Sequence, residues 1–279
     1  MAGWASPNYP PLAWEWSAVE VRRYALAVGA PRSVLDVGDL RLVTTEAPHV
    51  LPTFATLLAD GHSLRYIPLP GVTYDPLDVI YAGHELELAG PLPSAAGGTS
   101  SSRILDVGDV RSGVLVRRET VSRDGDGRLV ARNVVTSVIR GASVGHAVDV
   151  VAATPVPLVG DAATLVVPTL DRQALLYAQT GDDNPLHVDP EAARGAGFER
   201  PILHGLCAFG MVVHRVVRDL ADQGWCGVRA VGVRFTAPVV PGEDITVHAV
   251  RSADTIRFES FVGHRRVQSH GRVDLEPRR

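Results

Sequence analysis

Lysine is absent from this chain, and all 27 basic side chains are arginine. That removes Schiff-base chemistry, pyridoxal phosphate attachment, the phosphate-gripping lysine of a P-loop and the strand lysine of a kinase. Cysteine is nearly absent too. Cys207 and Cys226 sit in no metal-ligand spacing, and two cysteines make no disulfide framework. Cys207 falls in an apolar segment and reads as a small core residue. No Gly-x-Gly-x-x-Gly turn is present for a dinucleotide. No basic arm suits nucleic acid, and no apolar run approaches the ~20 residues of a membrane span. Met1 to Pro11 lacks the pattern of a signal peptide, and Glu276-Pro277-Arg278-Arg279 is no peroxisomal address. The expectation is a soluble cytoplasmic protein with no metal, no cofactor, and neither nucleic acid nor membrane as partner.

What remains is a chain of 279 residues, 46% hydrophobic and 21% charged, with a formal net charge of −4. A packed core is expected, in one large domain or two ordinary ones. The two halves echo each other. Tyr24-Ala25 ends a helical stretch, Trp16 to Val28, before Gly29-Ala30-Pro31; Tyr177-Ala178 ends another, Asp171 to Thr180, before Gly181. Gly83 to Leu88 reads like Gly242 to Val247. Alternating strands follow in each half: Arg103 to Asp106, Gly113 to Ser122 and Leu129 to Ile139, then Thr255 to Val262 and Arg266 to Leu275. The join is placed in Gly145 to Gly160, which contains Pro155 and Pro157. Ser94 to Ser102, rich in Ser, Ala and Gly, reads as a mobile surface loop.

The halves differ in one element. Pro201 to Leu220 carries apolar residues at helical spacing (Leu206, Phe209, Val213, Val217, Leu220), with Gly224 as its C-terminal cap. It is apolar nearly all round in its first part, which predicts burial on several sides. The first half offers only Leu51 to Ala59 in that place. An antiparallel sheet around a helix, with one copy short of its helix, leaves room for something long and apolar.

The chemistry concentrates in Gly181-Asp182-Asp183-Asn184-Pro185-Leu186-His187-Val188-Asp189-Pro190. A carboxylate and an imidazole lie five positions apart in a loop stiffened by two prolines. At neutral pH an ordinary aspartate is charged and an ordinary histidine gives or takes a proton. One water held between Asp182 and His187 is the equipment for adding water to an activated double bond. Asn184 can fix the loop or orient the water. Gly205, at the predicted start of the buried helix, can present an open backbone N–H to a thioester oxygen that gains charge. His204 reads as a structural neighbour.

Competing motifs fail on detail. Asp182-x-Asn184 starts like a calcium loop, but Pro185 interrupts it and Ala193 stands where glutamate is needed. His187, His204 and His214 have no zinc spacing. Gly141-Ala142-Ser143-Val144-Gly145 matches a serine nucleophile elbow but leads into prolines rather than a helix.

Tyr177 to Pro190, with Gly-Asp-x-Asn-Pro-Leu-His at its centre, closely resembles the hydratase-2 motif of the MaoC-like (R)-specific enoyl-CoA hydratases. Pro201 to Gly205 and Val233 to Glu243 also resemble this family. The resemblance implies an α+β double hotdog fold: two antiparallel sheets, each wrapping a helix, with the N-terminal helix degenerate. It implies a non-catalytic, acyl-accommodating half over 1–150 and a catalytic half over 151–279. It implies Asp182 and His187 as the catalytic pair, with Asn184 beside them and Gly205 as oxyanion donor. Gly83, Phe235 and His204 would contact the substrate. The activity implied is reversible hydration of trans-2-enoyl-CoA to (R)-3-hydroxyacyl-CoA without cofactor, in a pseudo-dimeric chain or a homodimer of it. A dehydratase on acyl carrier protein is the alternative; a hotdog thioesterase or a non-catalytic acyl-thioester binder stands behind it.

Overall fold

The computed structural model describes residues 9–148, 158 and 160–277. The first half runs β1 (Leu12–Trp16), α1 (Ala18–Ala27), α2 (Val37–Leu40), a 3-10 helix over Pro52–His62, β2 (Val79–Leu88), β3 (Ala96–Val110), β4 (Gly113–Asp124) and β5 (Leu129–Arg140). The second runs β6 (Ala163–Pro168), α3 (Gln173–Ala178), α4 (Pro190–Gly195), α5 (Gly205–Leu220), β7 (Val228–Phe235), β8 (Asp244–Ser252), β9 (Thr255–Val262) and β10 (Arg265–Leu275).

The strand order is β1-β3-β4-β5-β2-β7-β10-β9-β8-β6, and neighbouring strands pair antiparallel. Read inward from either edge, the two halves have the same order. The expected pair of sheets is thus one continuous ten-stranded sheet. The seam is β2 against β7, from Gly83↔Arg234 to Glu87↔Ala230. The order also corrects the sequence echo: β2 matches β7, and the strand after Gly242 is β8, the counterpart of β3. The Tyr24 and Tyr177 echo holds. Both rings are buried, their centroids 6.2 Å apart, and Phe54 lies 5.5 Å from Tyr24.

The large sheet curls over α5, whose residues Leu206 to His214 are all buried. An all-apolar helix is stable only inside such a wrap. The 3-10 helix Pro52–His62 takes the corresponding place in the first half, with Pro52 to Thr56 buried. Cys207 is fully buried and Cys226 exposed.

Four local expectations need correction. Trp16 belongs to β1, because Ser17 caps α1 in a capping box with Glu20. Ser94 to Ser102 is no loop: from Ala96 it is strand, held between β1 and β4. The small residues there serve close approach, since a Cβ on Gly98 would collide with the Arg123 carbonyl and the Trp14 ring. Pro201 to Leu203 runs ahead of the helix as non-helical chain and is tied to β8's approach by Leu203 N–H to Val239 O at 2.7 Å. Gly224 is not the cap of α5; Ala221 is, and Gly224 turns the chain further on. Most of the expected join falls on residues 149–157 and 159, outside the described residues. Among the described residues no helix is long and apolar enough to cross a membrane.

Candidate active site

The acid–histidine loop is built by local hydrogen bonds. α3 ends at Ala178, and Gly181, at φ 113°, turns the chain where a side chain would strain it. The Asn184 side chain accepts the Leu186 N–H at 3.1 Å, and Pro185 opens a 3-10 turn that carries His187. Asp189 then caps α4, accepting the Glu191 N–H at 2.7 Å. Asn184 is therefore a loop brace, held with its backbone N–H on Asp182 Oδ1 at 3.2 Å.

His187 Nδ1 is 2.8 Å from the Ile202 carbonyl. A carbonyl only accepts, so Nδ1 carries the hydrogen and Nε2 is left as an acceptor. Burial pushes the His187 pKa below the ordinary histidine value, against the opposing pull of Asp182. Behind it lies His204, with ring centroids 3.8 Å apart. Burial, then the neighbouring His187, lowers the His204 pKa to about 2, so it is a neutral packing partner. The ligating atoms of Asp182, His187 and His204 all lie within 4.8 Å of one another. Two ordinary hydrogen bonds of about 2.8 Å span that gap, so one water can touch both Asp182 and His187. The same three groups could jointly reach a metal ion.

Asp182 and His187 open onto a cavity of about 320 Å³. Gly205, Leu206, Phe235, Val239 and Val267 form an apolar wall. The first turn of α5 has no side-chain cap, so its N–H groups stay available beside Gly205. Phe235 lies 3.4 Å from where a Gly205 Cβ would be, so its ring roofs that backbone. Two expected substrate contacts do not line the cavity. His204 is 1% exposed and is not among the lining residues. Gly83 lies at a register shift in β2, and the wall there is Val79, Ile80 and Tyr81.

The sequence reading missed the polar side of the cavity, which comes from the first half. Asp60, Ser63, Arg65 and Tyr81 line it. Arg65 Nη1 reaches Asp182 Oδ1 at 3.3 Å, and the Tyr66 hydroxyl donates to Asp183 at 2.7 Å. Burial, then the Asp182 charge, raises the Asp60 pKa well above the ordinary aspartate value, against the opposing pull of Arg65 and Tyr81. The one signal available was that charged and polar residues follow the apolar stretch 51–59 directly.

Comparison with known proteins matches both halves. A MaoC-like domain matches residues 153–272, and the MFE-2 hydratase 2 N-terminal domain matches 14–141. Enoyl-CoA hydratase ChsH3 of Mycobacterium tuberculosis is 33% identical over 242 residues, 86% of this chain and 85% of that one. The 3-hydroxyacyl-thioester dehydratase Y of the same organism is 33% identical over 249 residues, 85% of this chain and 82% of the relative. The solved full-length peroxisomal multifunctional enzyme type 2 of Drosophila melanogaster superimposes with a TM-score of 0.80 at 32% identity. That match covers 95% of this chain and 48% of the fly protein, so the chain spans about half of that relative. Identity across both halves, with the acid–histidine loop and the double hotdog arrangement in place, puts this chain in the MaoC-like hydratase 2 family of hydro-lyases.

Proposed function

We propose that this protein adds water reversibly to a trans-2-enoyl-CoA, giving the (R)-3-hydroxyacyl-CoA, with Asp182 and His187 holding the water. The observation that carries the reading is a carboxylate oxygen of Asp182 and a ring nitrogen of His187 within 4.8 Å, on a cavity that also contains the open start of α5. The water oxygen bonds to C3. One of its protons leaves toward the acceptor pair, and a proton is delivered to C2, so that H and OH are added in total. The thioester oxygen gains negative charge meanwhile, and the Gly205 N–H at the positive end of α5 stabilises it. His187 suits the acceptor role because its burial keeps it neutral at pH 7. The hydratase and dehydratase relatives name the two directions of this chemistry. The 1–150 half shapes the acyl end of the cavity and the 151–279 half supplies the dyad.

The test is loss of the enoyl thioester absorbance on a coenzyme A substrate, followed by chiral analysis of the 3-hydroxy product. Formation of the (S) product would remove the stereochemical assignment. A preference for acyl carrier protein thioesters over coenzyme A thioesters would move the protein to the dehydratase reading. Release of free thiol would end the hydration reading altogether.

A further inference from the structure

If Asp182 holds the water, its two oxygens are not equivalent: among the described residues the recorded hydrogen bonds to its carboxylate fall on Oδ1. Oδ1 already accepts two hydrogen bonds, from Arg65 Nη1 at 3.3 Å and from the Asn184 N–H at 3.2 Å. We propose that Arg65, from the first half, is a positioning residue for the reaction of the second: it occupies Asp182 Oδ1 and so presents Oδ2 to the water shared with His187. This inference rests on the hydration reading above.

The surroundings favour that use of the guanidinium. The Arg65 side chain is 13% exposed, so its contact with Asp182 is shielded from bulk water. A tight turn fixes its backbone, with its N–H on Ser63 Oγ at 3.3 Å and Ile67 N–H on Ser63 O at 2.9 Å. Its guanidinium lies over the Tyr66 ring, 5.3 Å from the centroid. Two other carboxyl groups face it, and neither displaces Asp182. Asp183 is 3.8 Å from Nη2, exposed, and held by the Tyr66 hydroxyl. Asp60 also lines the cavity, and burial, then the Asp182 charge, raises its pKa, which weakens its hold on a cation relative to Asp182. Arginine fits this task because separate N–H groups of one rigid plane reach Asp182 and Asp183 at once. A flexible ammonium would hold either oxygen of Asp182 with similar ease.

Steady-state hydration of a short trans-2-enoyl-CoA by the full chain tests this. Arg65→Met should lower kcat by about 10–100-fold, the cost of a small misplacement of a reacting group, with KM little changed. Millimolar guanidinium should restore part of that loss, and Arg65→Lys should retain more kcat than Met. Tyr66→Phe breaks the neighbouring Asp183 contact and should cost several-fold less than Arg65→Met. Thermal melts separate lost rate from lost fold; if the Met variant does not fold, the Lys variant carries the kcat and KM comparison. Three results would overturn the inference: a rise in KM with kcat kept, a Tyr66→Phe loss equal to that of Arg65→Met, or an Arg65→Met variant as fast as the parent. A parent protein inactive on enoyl thioesters would instead remove the hydration reading and say nothing against the geometry of Arg65.

Discussion

The two halves share a strand order, yet they fill the crossing from first to second strand differently. The second half spends it on α3, the acid–histidine loop and the 16-residue α5. The first spends it on α1, α2 and the 3-10 helix Pro52–His62. A 3-10 run packs less well than an α-helix and is seldom long. Where the second half has Asp182 to His187, the first has Gly29-Ala30-Pro31. On the proposed reading one copy keeps the chemistry, and the other faces it with Asp60, Ser63, Arg65 and Tyr81. The difference shows how a duplicated fold specialises: the common sheet holds the two crossings side by side, and only the crossings change.

The largest effect expected from breaking this contrast is at the dyad. Asp182→Asn and His187→Ala should each lower kcat by roughly 10²–10⁴-fold while the melting temperature stays near that of the parent. Loss of less than tenfold in either would place the chemistry outside the second half.

Next comes the contact that locks the halves together. A Cβ on Gly210 of α5 would stand 2.7 Å from Val28 Cγ1 and 2.8 Å from the Tyr24 hydroxyl. Gly210→Val should destabilise by about 1–3 kcal/mol, read from denaturant midpoints. A neutral result would mean that α1 and α5 separate more easily than their packing suggests.

A smaller effect concerns pH. Burial lowers the His187 pKa below its ordinary value, so neutral His187 persists as pH falls through the usual histidine range. The rate should hold to a lower pH than an ordinary histidine would allow before it falls. A fall already at the ordinary histidine pKa would contradict a buried, neutral base.

The smallest effect belongs to the first half. The Asp60 pKa is raised by burial, so the folded state binds this proton more tightly than the unfolded chain does. Its stabilising contribution is complete below the ordinary aspartate pKa and is lost as pH rises toward the raised value. Asp60→Asn should therefore gain stability relative to the parent as pH is raised from 4 to about 8, measured by paired melts. An equal difference at both ends would show that Asp60 is charged in the fold.

Much of the site was legible because it is local. Asp182, Asn184 and His187 lie in one turn braced by its own hydrogen bonds, and Gly205 starts a helix whose apolar spacing is evident. Phe235 was reached through its resemblance. Gly83 and His204 do not line the cavity for the opposite reason: whether a residue meets a cavity depends on what packs over it. Ser94 to Ser102 misread as a loop because small residues carry no strand signal, although β1 and β4 need them small.

The sequence alone determined the buried helix and the order of groups along the acid–histidine loop, since each depends on residues a few positions apart. Only the tertiary structure decided that β2 meets β7, that the two sheets become one, and that Arg65 and Asp60 reach Asp182. Those partners are more than a hundred residues apart in the chain. No periodicity or spacing connects such positions, and only burial of both crossings beneath one sheet brings them together.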